Sequence, residues 1–420
     1  MNYNVSQDIK SGHTIRFDRH RGTFTVVAAD RAQMSEAAGA SMPTIRFELR
    51  SATDAALQPQ WADLTVRAVT DNPFHRPQWL IPAASAFGME APRVLCAWQG
   101  DGPAASLVFM APVIIKTLLP GVKQLRIVSW NSDYAPLAAP LMADQLNEET
   151  VKALVAFCRR DLGISSIIFQ DQRLDDDFTA DLMAHCEALG LACETAFIRE
   201  RAVLHGPQDA DAFLNGVIRT KKRKELRRLK RRLAERGPVE VRVCTDPGQA
   251  DTCLDAFMTI ERAGWKGRRG TALESNPVTQ TLARSTIGQM MSAGMARIMI
   301  LQVGDQAIAG LIILTAGSEA VTWKIAYDED FAKFSPGVLL MIEATRYLLG
   351  DPTISRTDSS AIPDHPMINH LWPDRMAVAD LVISTRPIDR YLSRASYRMS
   401  EIVQRAKSAI RRRLNGIVRR

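Results

Sequence analysis

The 420-residue sequence contains no run of eighteen apolar residues. Its best apolar stretch, residues 107–119, is short and contains Pro112 and Lys116, which excludes a membrane-spanning helix there. The first ten residues lack a basic region followed by an apolar core. We therefore expect no secretory signal.

Cysteine and histidine are few and scattered. The six cysteines form no C-x-x-C pair, which excludes a disulfide framework and a zinc site of the usual spacing. The seven histidines contain no H-x-H or H-E-x-x-H pattern, so we expect no metal. A reducing cytoplasm fits this cysteine usage best.

The composition is that of an ordinary globular protein, with 46% hydrophobic and 24% charged residues. This excludes a chain that is disordered, collagenous or coiled-coil throughout. The length predicts two or three domains, or two large ones.

The net charge of +7 is unevenly distributed along the chain. Residues 219–236 hold eleven Lys and Arg against two Glu, and residues 386–420 also hold eleven basic residues against two acidic ones. Each segment therefore has a net charge of +9, and the remainder of the chain has −11. An acidic body with two basic helices is predicted.

The first basic segment has Leu226, Leu229 and Leu233 at helical spacing, and Gly237-Pro238 ends the pattern. Its cationic face has three open interpretations. It is a solvated surface, a site for a polyanion such as RNA, a nucleotide or a lipid headgroup, or a wall near a phosphate-bearing cofactor.

The C-terminal segment also has apolar residues at helical spacing beside a triple arginine at 411–413. This predicts a basic amphipathic helix. It either binds an anionic membrane surface, which would make the protein peripheral to the inner membrane, or docks on the body of the protein.

Two halves of the chain repeat one order of predicted elements: a three-stranded meander, a proline-containing loop, a helix and further strands. This predicts a duplicated α/β domain with a central mixed sheet. The predicted divisions are a flexible segment 1–42, domains 43–205 and 206–385, and the basic helix 386–420. The predicted strands are 93–98, 106–115, 123–129, 164–169 and 191–198 in the first half, and 296–303, 307–315, 320–327, 353–358 and 376–384 in the second.

The junction Ser335-Pro336-Gly337 precedes a predicted helix at 338–349. Ser335 suits an N-cap, Pro336 suits the first turn, and Gly337 lets a ligand approach the backbone. Because the first amides of a helix have no partner within it, such a junction can bind phosphate. A plain capped helix is the other interpretation.

Five segments together resemble a known family: KKRKELRRLKRRLAERG (221–237), GWKGRRGTAL (264–273), WKIAYDEDFAKFSPGVLL (323–340), TDSSAIPDHPMINHLWPDR (357–375) and DNPFHRPQWL (71–80). The second half resembles the acetyltransferase fold of the GNAT superfamily. It is more closely similar to the CelD/BcsL-like acetyltransferases associated with bacterial cellulose and exopolysaccharide synthesis. That family is related to the Fem peptidoglycan enzymes, which also carry two such domains.

The resemblance implies tandem GNAT-like domains, each a mixed central sheet flanked by helices, and acetyl-CoA or another acyl-CoA as co-substrate. The pantetheine arm would run beside the strand 320–327. The superfamily pattern Arg/Gln-x-x-Gly-x-Gly/Ala matches residues 332–337, where Ala332 and Ser335 replace the Arg/Gln and the first Gly. The pyrophosphate would lie on the amides around Ser335, Pro336, Gly337, Val338 and Leu339.

Direct acyl transfer needs a base for the attacking group, donors for the thioester carbonyl and an acid for the leaving thiolate. Asp358, at the end of a predicted strand, is a candidate base or substrate-holding residue, or else a turn former. His365, between Pro363-Asp364 and Pro366, is a candidate proton shuttle or a structural loop residue.

Two further candidates lie on the strand 320–327. Alternation predicts Val321, Trp323, Ile325 and Tyr327 on one face and Lys324 on the other. Lys324 either snorkels or donates to a carbonyl or phosphate. Tyr327 either packs in the core or protonates the thiolate.

The loop around Trp265, Lys266 and Arg268 is rich in glycine and positive charge. It either closes over an anionic or sugar substrate or is an ordinary basic surface loop.

The preferred hypothesis is an acyl-CoA-dependent N- or O-acyltransferase for a small-molecule or glycan-precursor acceptor of the envelope or exopolysaccharide. The alternatives are a Fem-like transferase that uses aminoacyl-tRNA, and a non-catalytic adaptor that docks on a membrane or polyanion.

Overall fold

The computed structural model describes residues 44–88, 92–117, 125–132 and 134–386, the strands at 13–18 and 23–28, and residues 390, 391, 395 and 399. Within this part of the chain, no helix is long and apolar enough to cross a membrane. Most of the predicted helix at 386–420 lies outside the described residues.

The first half of the chain alternates strands with helices after an N-terminal hairpin. Its elements are β1 (His13–Asp18), β2 (Thr23–Ala28), β3 (Ile45–Ser51), α1 (Gln58–Arg67), α2 (Pro77–Phe87), β4 (Arg93–Gln99), β5 (Ser106–Thr117), β6 (Leu125–Ser129), β7 (Leu141–Met142), α3 (Glu148–Arg160), β8 (Ile164–Arg173), α4 (Asp177–Ala188) and β9 (Cys193–His205).

The second half opens with two helices and then repeats the same order. Its elements are α5 (Ala210–Val217), α6 (Thr220–Ala234), β10 (Val239–Cys244), α7 (Ala250–Ala263), α8 (Trp265–Arg268), α9 (Pro277–Ser292), β11 (Ala296–Val303), β12 (Gln306–Ala316), β13 (Glu319–Tyr327), α10 (Pro336–Gly350), β14 (Arg356–Asp358) and β15 (Asp374–Ser384).

Short polar side chains set several of the helix starts. Asn147, Asp176, Asp209 and Asn276 each accept a hydrogen bond from a backbone N–H of the first helical turn, and begin α3, α4, α5 and α9. Each bond satisfies an amide that has no partner inside the helix.

All strands from β3 to β15 form one mixed sheet in the order β10-β11-β12-β13-β14-β9-β15-β8-β6-β5-β4-β3, with β7 paired to β5. In each half, four antiparallel strands are followed by a parallel partner: β8 beside β6, and β14 beside β13. The prediction of a duplicated mixed α/β fold is confirmed.

The two halves share this sheet because β15, from the end of the second half, lies between β8 and β9 of the first. Residues 193–203 of β9 pair with β15, and residues 203–205 pair with β14. Each half therefore depends on the other for a strand partner.

A continuous apolar core lies on one sheet face, under helices α1, α2, α7 and α9. The rings of Trp79 and Trp323, one from each half, meet edge to face with centroids 5.1 Å apart. The opposite face carries separate cores under α5, α6 and α10 and under α3 and α4. Burial of each large apolar side chain in these cores contributes about 1.5–3 kcal/mol to the free energy of unfolding.

Helix α6 confirms the predicted leucine stripe, since Leu226, Leu229 and Leu233 are all buried. Most of its lysines and arginines are exposed, and Lys230 pairs with Glu343 of α10 at 3.1 Å.

Several predicted boundaries are wrong. β8 and β9 extend four and seven residues past their predicted ends at 169 and 198, because the charged residues there pair across the sheet. Strands β1 and β2 form a hairpin in the segment predicted to be flexible. The remaining residues of 1–42 lie outside the described residues.

The cysteines also differ from expectation. The pattern predicts no disulfide framework, but Cys244 at the end of β10 is bonded to Cys253 in α7, with Cα atoms 6.7 Å apart. Nine residues separate them, so no C-x-x-C motif marks the pair; the fold of the β10–α7 turn brings them together.

This disulfide should stabilise the turn. By loop entropy, the Cys253→Ala variant should lose about 2–3 kcal/mol of unfolding free energy. Thermal denaturation measures the loss. Thiol labelling of the denatured, unreduced protein should modify four of the six cysteines. Labelling of all six would contradict the pairing.

Candidate functional site

The strands β13 and β14 diverge after three residue pairs. Their parallel register ends at Val321 and Asp358, and the Ser359 N–H then turns to the Ala202 carbonyl of β9 at 3.1 Å. Among the described residues, no strand pairs with the remainder of this β13 edge, residues 322–327. A wedge therefore lies along the end of β13. The Thr322 hydroxyl bridges its narrow end by donating to the Ser359 carbonyl at 2.8 Å, and no strand covers the edge beyond it among the described residues.

A bulge lies in β13 beside the wedge. Thr322 faces Ile313 of β12 and Lys324 faces Ile312, so Trp323 is the extra residue. The predicted alternation is wrong for this reason: the Lys324 ammonium lies 5.7 Å from the Trp323 ring, on the same side, and Ile325 packs in the opposite core. Bulges re-aim side chains in this way.

Helix α10 begins at the wide end of the wedge. Ser335 has a left-handed backbone (φ 54°), and its carbonyl, rather than its side chain, accepts the N–H groups of Val338 and Leu339 at 3.1 Å. Ser335 is therefore the N-cap residue of α10, as predicted, but its side chain makes no capping hydrogen bond. With no acidic residue in the first turn, the positive helix end is not neutralised locally.

Tyr327 and Met367 border this helix end. A Cβ on Gly337 would lie 3.4 Å from Cδ1 of Tyr327 and 3.9 Å from Sδ of Met367. Tyr327 is 38% exposed. A side chain at residue 337 would therefore touch the Tyr327 ring, so glycine keeps the space between this helix end and the partly exposed ring.

His365 holds the loop next to Met367. Its Nδ1 accepts the N–H groups of Met367 at 3.3 Å and Ile368 at 3.4 Å, which assigns the ring proton to Nε2. Burial lowers the pKa of His365 below its ordinary value. The ring is therefore neutral near pH 7, and it orders the loop.

The loop 265–269 closes the end of β13. Lys266 Nζ donates to Glu261 Oε1 at 2.8 Å and to the Ile325 carbonyl at 2.9 Å, and Arg268 pairs with Glu329. The Arg268 hydrogen bond lowers the pKa of Glu329. Trp265 is 45% exposed and stacks under Arg269. Lys266 supports β13, and the Trp265 ring borders solvent.

We expect Lys266→Met to destabilise the protein by about 2 kcal/mol, because it leaves the buried Glu261 carboxylate without its cation. Donor affinity should change little, since this ammonium is already bound. Chemical denaturation and a titration with acetyl-CoA measure the two effects. Arg268→Met is the matched surface control and should cost under about 1 kcal/mol; equal losses in both variants would contradict this assignment.

Asp358 is fully buried at the narrow end of the wedge. Its Oδ1 accepts the Ser360 N–H at 2.7 Å, and its Oδ2 accepts from Arg201 of β9 at 3.2 Å. Arg201 also donates to Asp171 of β8 at 3.1 Å. Both oxygens are engaged, so the carboxylate ties the loop after β14 to the first half.

The first half has the same wedge between β6 and β8, but it is closed. The Ser129 hydroxyl accepts the Gln170 N–H at 2.7 Å, and Asn131 bonds to Asp171. Helix α3, the counterpart of α10, is capped by Asn147 and carries two glutamates, 148 and 149, in its first turn. An anion at that helix end would be repelled.

Among the described residues, no group of three or more His, Cys, Asp or Glu side chains could hold a metal ion. The described groups at the wedge are instead the exposed rings of Tyr327 and Trp265, the Lys324 ammonium, and the positive start of α10.

Residues 220–359 match the model of the acetyltransferase (GNAT) domain. This match contains α6, the wedge, the bulge and the start of α10. The first half repeats the same strand order, so the fold is that of two GNAT-like domains in tandem. No curated protein matches the chain.

Similar solved structures include one with a TM-score above 0.5, which shows the same fold. FemX superposes with a TM-score of 0.51 at 12% identity, over 80% of this chain and 98% of its own. The C-terminal domain of a protein described as a putative lysylphosphatidylglycerol synthetase from Agrobacterium fabrum has a TM-score of 0.48 at 14% identity. The match covers 80% of this chain and 95% of that one. A tandem GNAT protein from the clavulanic acid biosynthesis pathway has a TM-score of 0.40 at 14% identity, and the match covers 82% of this chain and 99% of that one.

Sequence reasoning missed the residues that the first half brings to the GNAT domain. Arg201 and Asp171 lie on strands more than 150 residues before Asp358 and reach it only through the shared sheet. One sequence signal could have indicated these residues: charged side chains directly after an apolar run, as in IIFQDQR of β8, need a buried partner if the strand continues.

Proposed function

We propose that the protein is an acyltransferase that uses acetyl-CoA or another acyl-CoA as donor. The donor diphosphate lies at the start of α10, beside residues 335–339, where it meets the Gly337 amide and the positive helix end, because the Ser335, Val338 and Leu339 amides already donate to backbone carbonyls. The pantetheine arm follows the edge of β13. The observation that carries this proposal is the difference between the two wedges. The second is bridged at its narrow end by Thr322 and meets a helix end with no acidic residue in its first turn. The first is bridged at both Ser129 and Asn131 and meets a helix end with two glutamates.

The chemistry is direct transfer. An amine or hydroxyl of the acceptor attacks the thioester carbonyl and loses a proton, the C–S bond breaks, and the thiolate takes up a proton. Tyr327 is the proposed acid, because its ring lies between the helix end and solvent. Lys324 is the proposed donor to the carbonyl oxygen. We assign Asp358 and His365 to ordering the loop 358–368.

For the acceptor, we keep an envelope or exopolysaccharide precursor, in line with the CelD/BcsL resemblance. Trp265 and Tyr327 are exposed aromatic rings at the mouth of the wedge, as a sugar-binding surface requires. Reaction in the cytoplasm, at or near an anionic membrane, stays part of this proposal.

A second candidate is a transferase that takes its acyl group from aminoacyl-tRNA. The exposed cations of α6 favour it, because the helix ends beside the site: Arg236 lies 5.4 Å and 5.2 Å from the rings of Phe331 and Phe334, just before Ser335. Binding of tRNA that weakens steeply with salt would support this donor.

Thermal denaturation with acetyl-CoA tests the first proposal. A donor at a hundred times its Kd stabilises the native state by about 2.7 kcal/mol and raises the melting temperature. Desulfo-CoA should act similarly, and adenosine should not. No shift with millimolar acetyl-CoA, alongside a shift with tRNA, would favour the second candidate. If neither acetyl-CoA nor tRNA raises the melting temperature, the hypothesis of a non-catalytic adaptor is favoured instead.

A further inference from the structure

A loop of the first half, residues 134–140, crosses to the open edge of β13. Its backbone carbonyls are held by side chains: Tyr134 by Trp323 Nε1 at 2.8 Å, Pro136 by Arg201 at 2.9 Å, Leu137 and Ala139 by Asn72 at 3.2 and 2.9 Å, Ala138 by Gln172 at 2.9 Å, and Pro140 by Thr70 at 2.7 Å.

The donors to this crossing loop are themselves buried. Asn72, Gln172, Arg201 and Trp323 are at most 6% exposed, and they come from both halves. Buried hydrogen bonds of this kind hold a loop in one conformation, because breaking any of them leaves an unsatisfied polar group. The crossing loop is therefore a rigid support rather than a flexible surface segment.

The support presents Tyr134 to the bulge in β13. The Lys324 ammonium lies 4.6 Å from the centre of the Tyr134 ring, within the range of a cation–π contact. The carbonyl of Tyr134 is bonded to the neighbouring Trp323. Both ends of this residue are thus fixed at the point where the bulge re-aims Lys324.

We infer that Tyr134 is a positioning residue for the transfer site of the second half: its ring holds the Lys324 ammonium beside the thioester carbonyl. The inference rests on the proposed acyltransferase function. It assigns the first half a direct task, since the site is incomplete without a residue from it.

The test compares Tyr134→Leu, Tyr134→Phe and Lys324→Met. Thiol release from acetyl-CoA is followed with glucosamine as probe acceptor, since it offers an amine and hydroxyls. We expect kcat of Tyr134→Leu to fall about tenfold with the KM for acetyl-CoA unchanged, and Tyr134→Phe to keep near-normal kcat because the ring remains. The double variant Tyr134→Leu/Lys324→Met should be no slower than Lys324→Met alone.

Tyr347→Leu is the matched control, because it removes the ring contact of Arg297, at 5.9 Å, outside the wedge. Its kcat should equal that of the wild type. Tyr134→Leu with unchanged kcat, or additive losses in the double variant, would overturn the inference while leaving the acyltransferase function intact.

A readout without turnover separates the two proposals. Reductive methylation of Lys324, quantified by mass spectrometry, should be several-fold faster in Tyr134→Leu than in the wild type or Tyr134→Phe, because the ring no longer covers the ammonium. An unchanged rate would refute the contact. A wild type that neither binds acetyl-CoA nor releases thiol refutes the proposed function instead.

Discussion

Replacing Ser335 by aspartate should weaken acetyl-CoA binding by on the order of a hundredfold without destabilising the protein. At an effective dielectric constant of about 20, a carboxylate about 5 Å from one diphosphate charge costs about 3 kcal/mol. Aspartate tolerates the left-handed backbone of this residue and complements the positive helix end. The free energy of unfolding should therefore stay the same or rise by up to about 1 kcal/mol.

The duplicated fold supplies the control for this variant. Asn147→Asp places the same charge at the start of α3, the counterpart helix in the first half. Acetyl-CoA affinity, measured by calorimetry, should be unchanged there. If Ser335→Asp bound the donor as tightly as the wild type, the diphosphate would have to lie elsewhere.

Replacing Asp358 by asparagine should cost about 3 kcal/mol of stability, the second large effect. The amide oxygen of the introduced side chain could still accept the Ser360 N–H, but its NH₂ group would face the Arg201 guanidinium, and two donors would meet in a buried site. Breaking a buried ion pair costs about 3–5 kcal/mol, and Arg201 keeps Asp171 as a partner, which places the loss at the lower end.

The same variant separates two roles for this carboxylate. If Asp358 orders the loop, the folded fraction of the variant should retain most of its kcat. If Asp358 is the catalytic base, kcat falls by orders of magnitude while the melting temperature hardly changes. Asp255→Asn, which breaks an exposed pair with Arg284, is the control and should lose under about 1 kcal/mol.

Much of the fold could be predicted because it depends on local patterns. The leucine spacing of 226, 229 and 233 predicted α6, and turn residues between apolar runs predicted the meander of β11, β12 and β13. The same signals in the first half predicted the duplication. The ends of β8 and β9 were missed because their charged residues find partners on strands remote in sequence.

The candidate site was predicted only in part. The junction at 335–337 has a local signature, and the structure places it at the wide end of the wedge. Lys324 was assigned to the wrong face, because one extra residue in a strand reverses the alternation and leaves no mark in its own sequence. Tyr134 carried no signal at all, since its partner Lys324 lies 190 residues further along the chain.

The amino-acid order alone indicated ten of the described strands, several helices, their repetition in two halves, and where charge accumulates, because these features depend on neighbours within a few residues. The tertiary structure decided which of the two wedges stays open, which side chains face it, and that one half completes the other. Those outcomes depend on strand pairing and burial between residues far apart in the chain, and no local pattern records them.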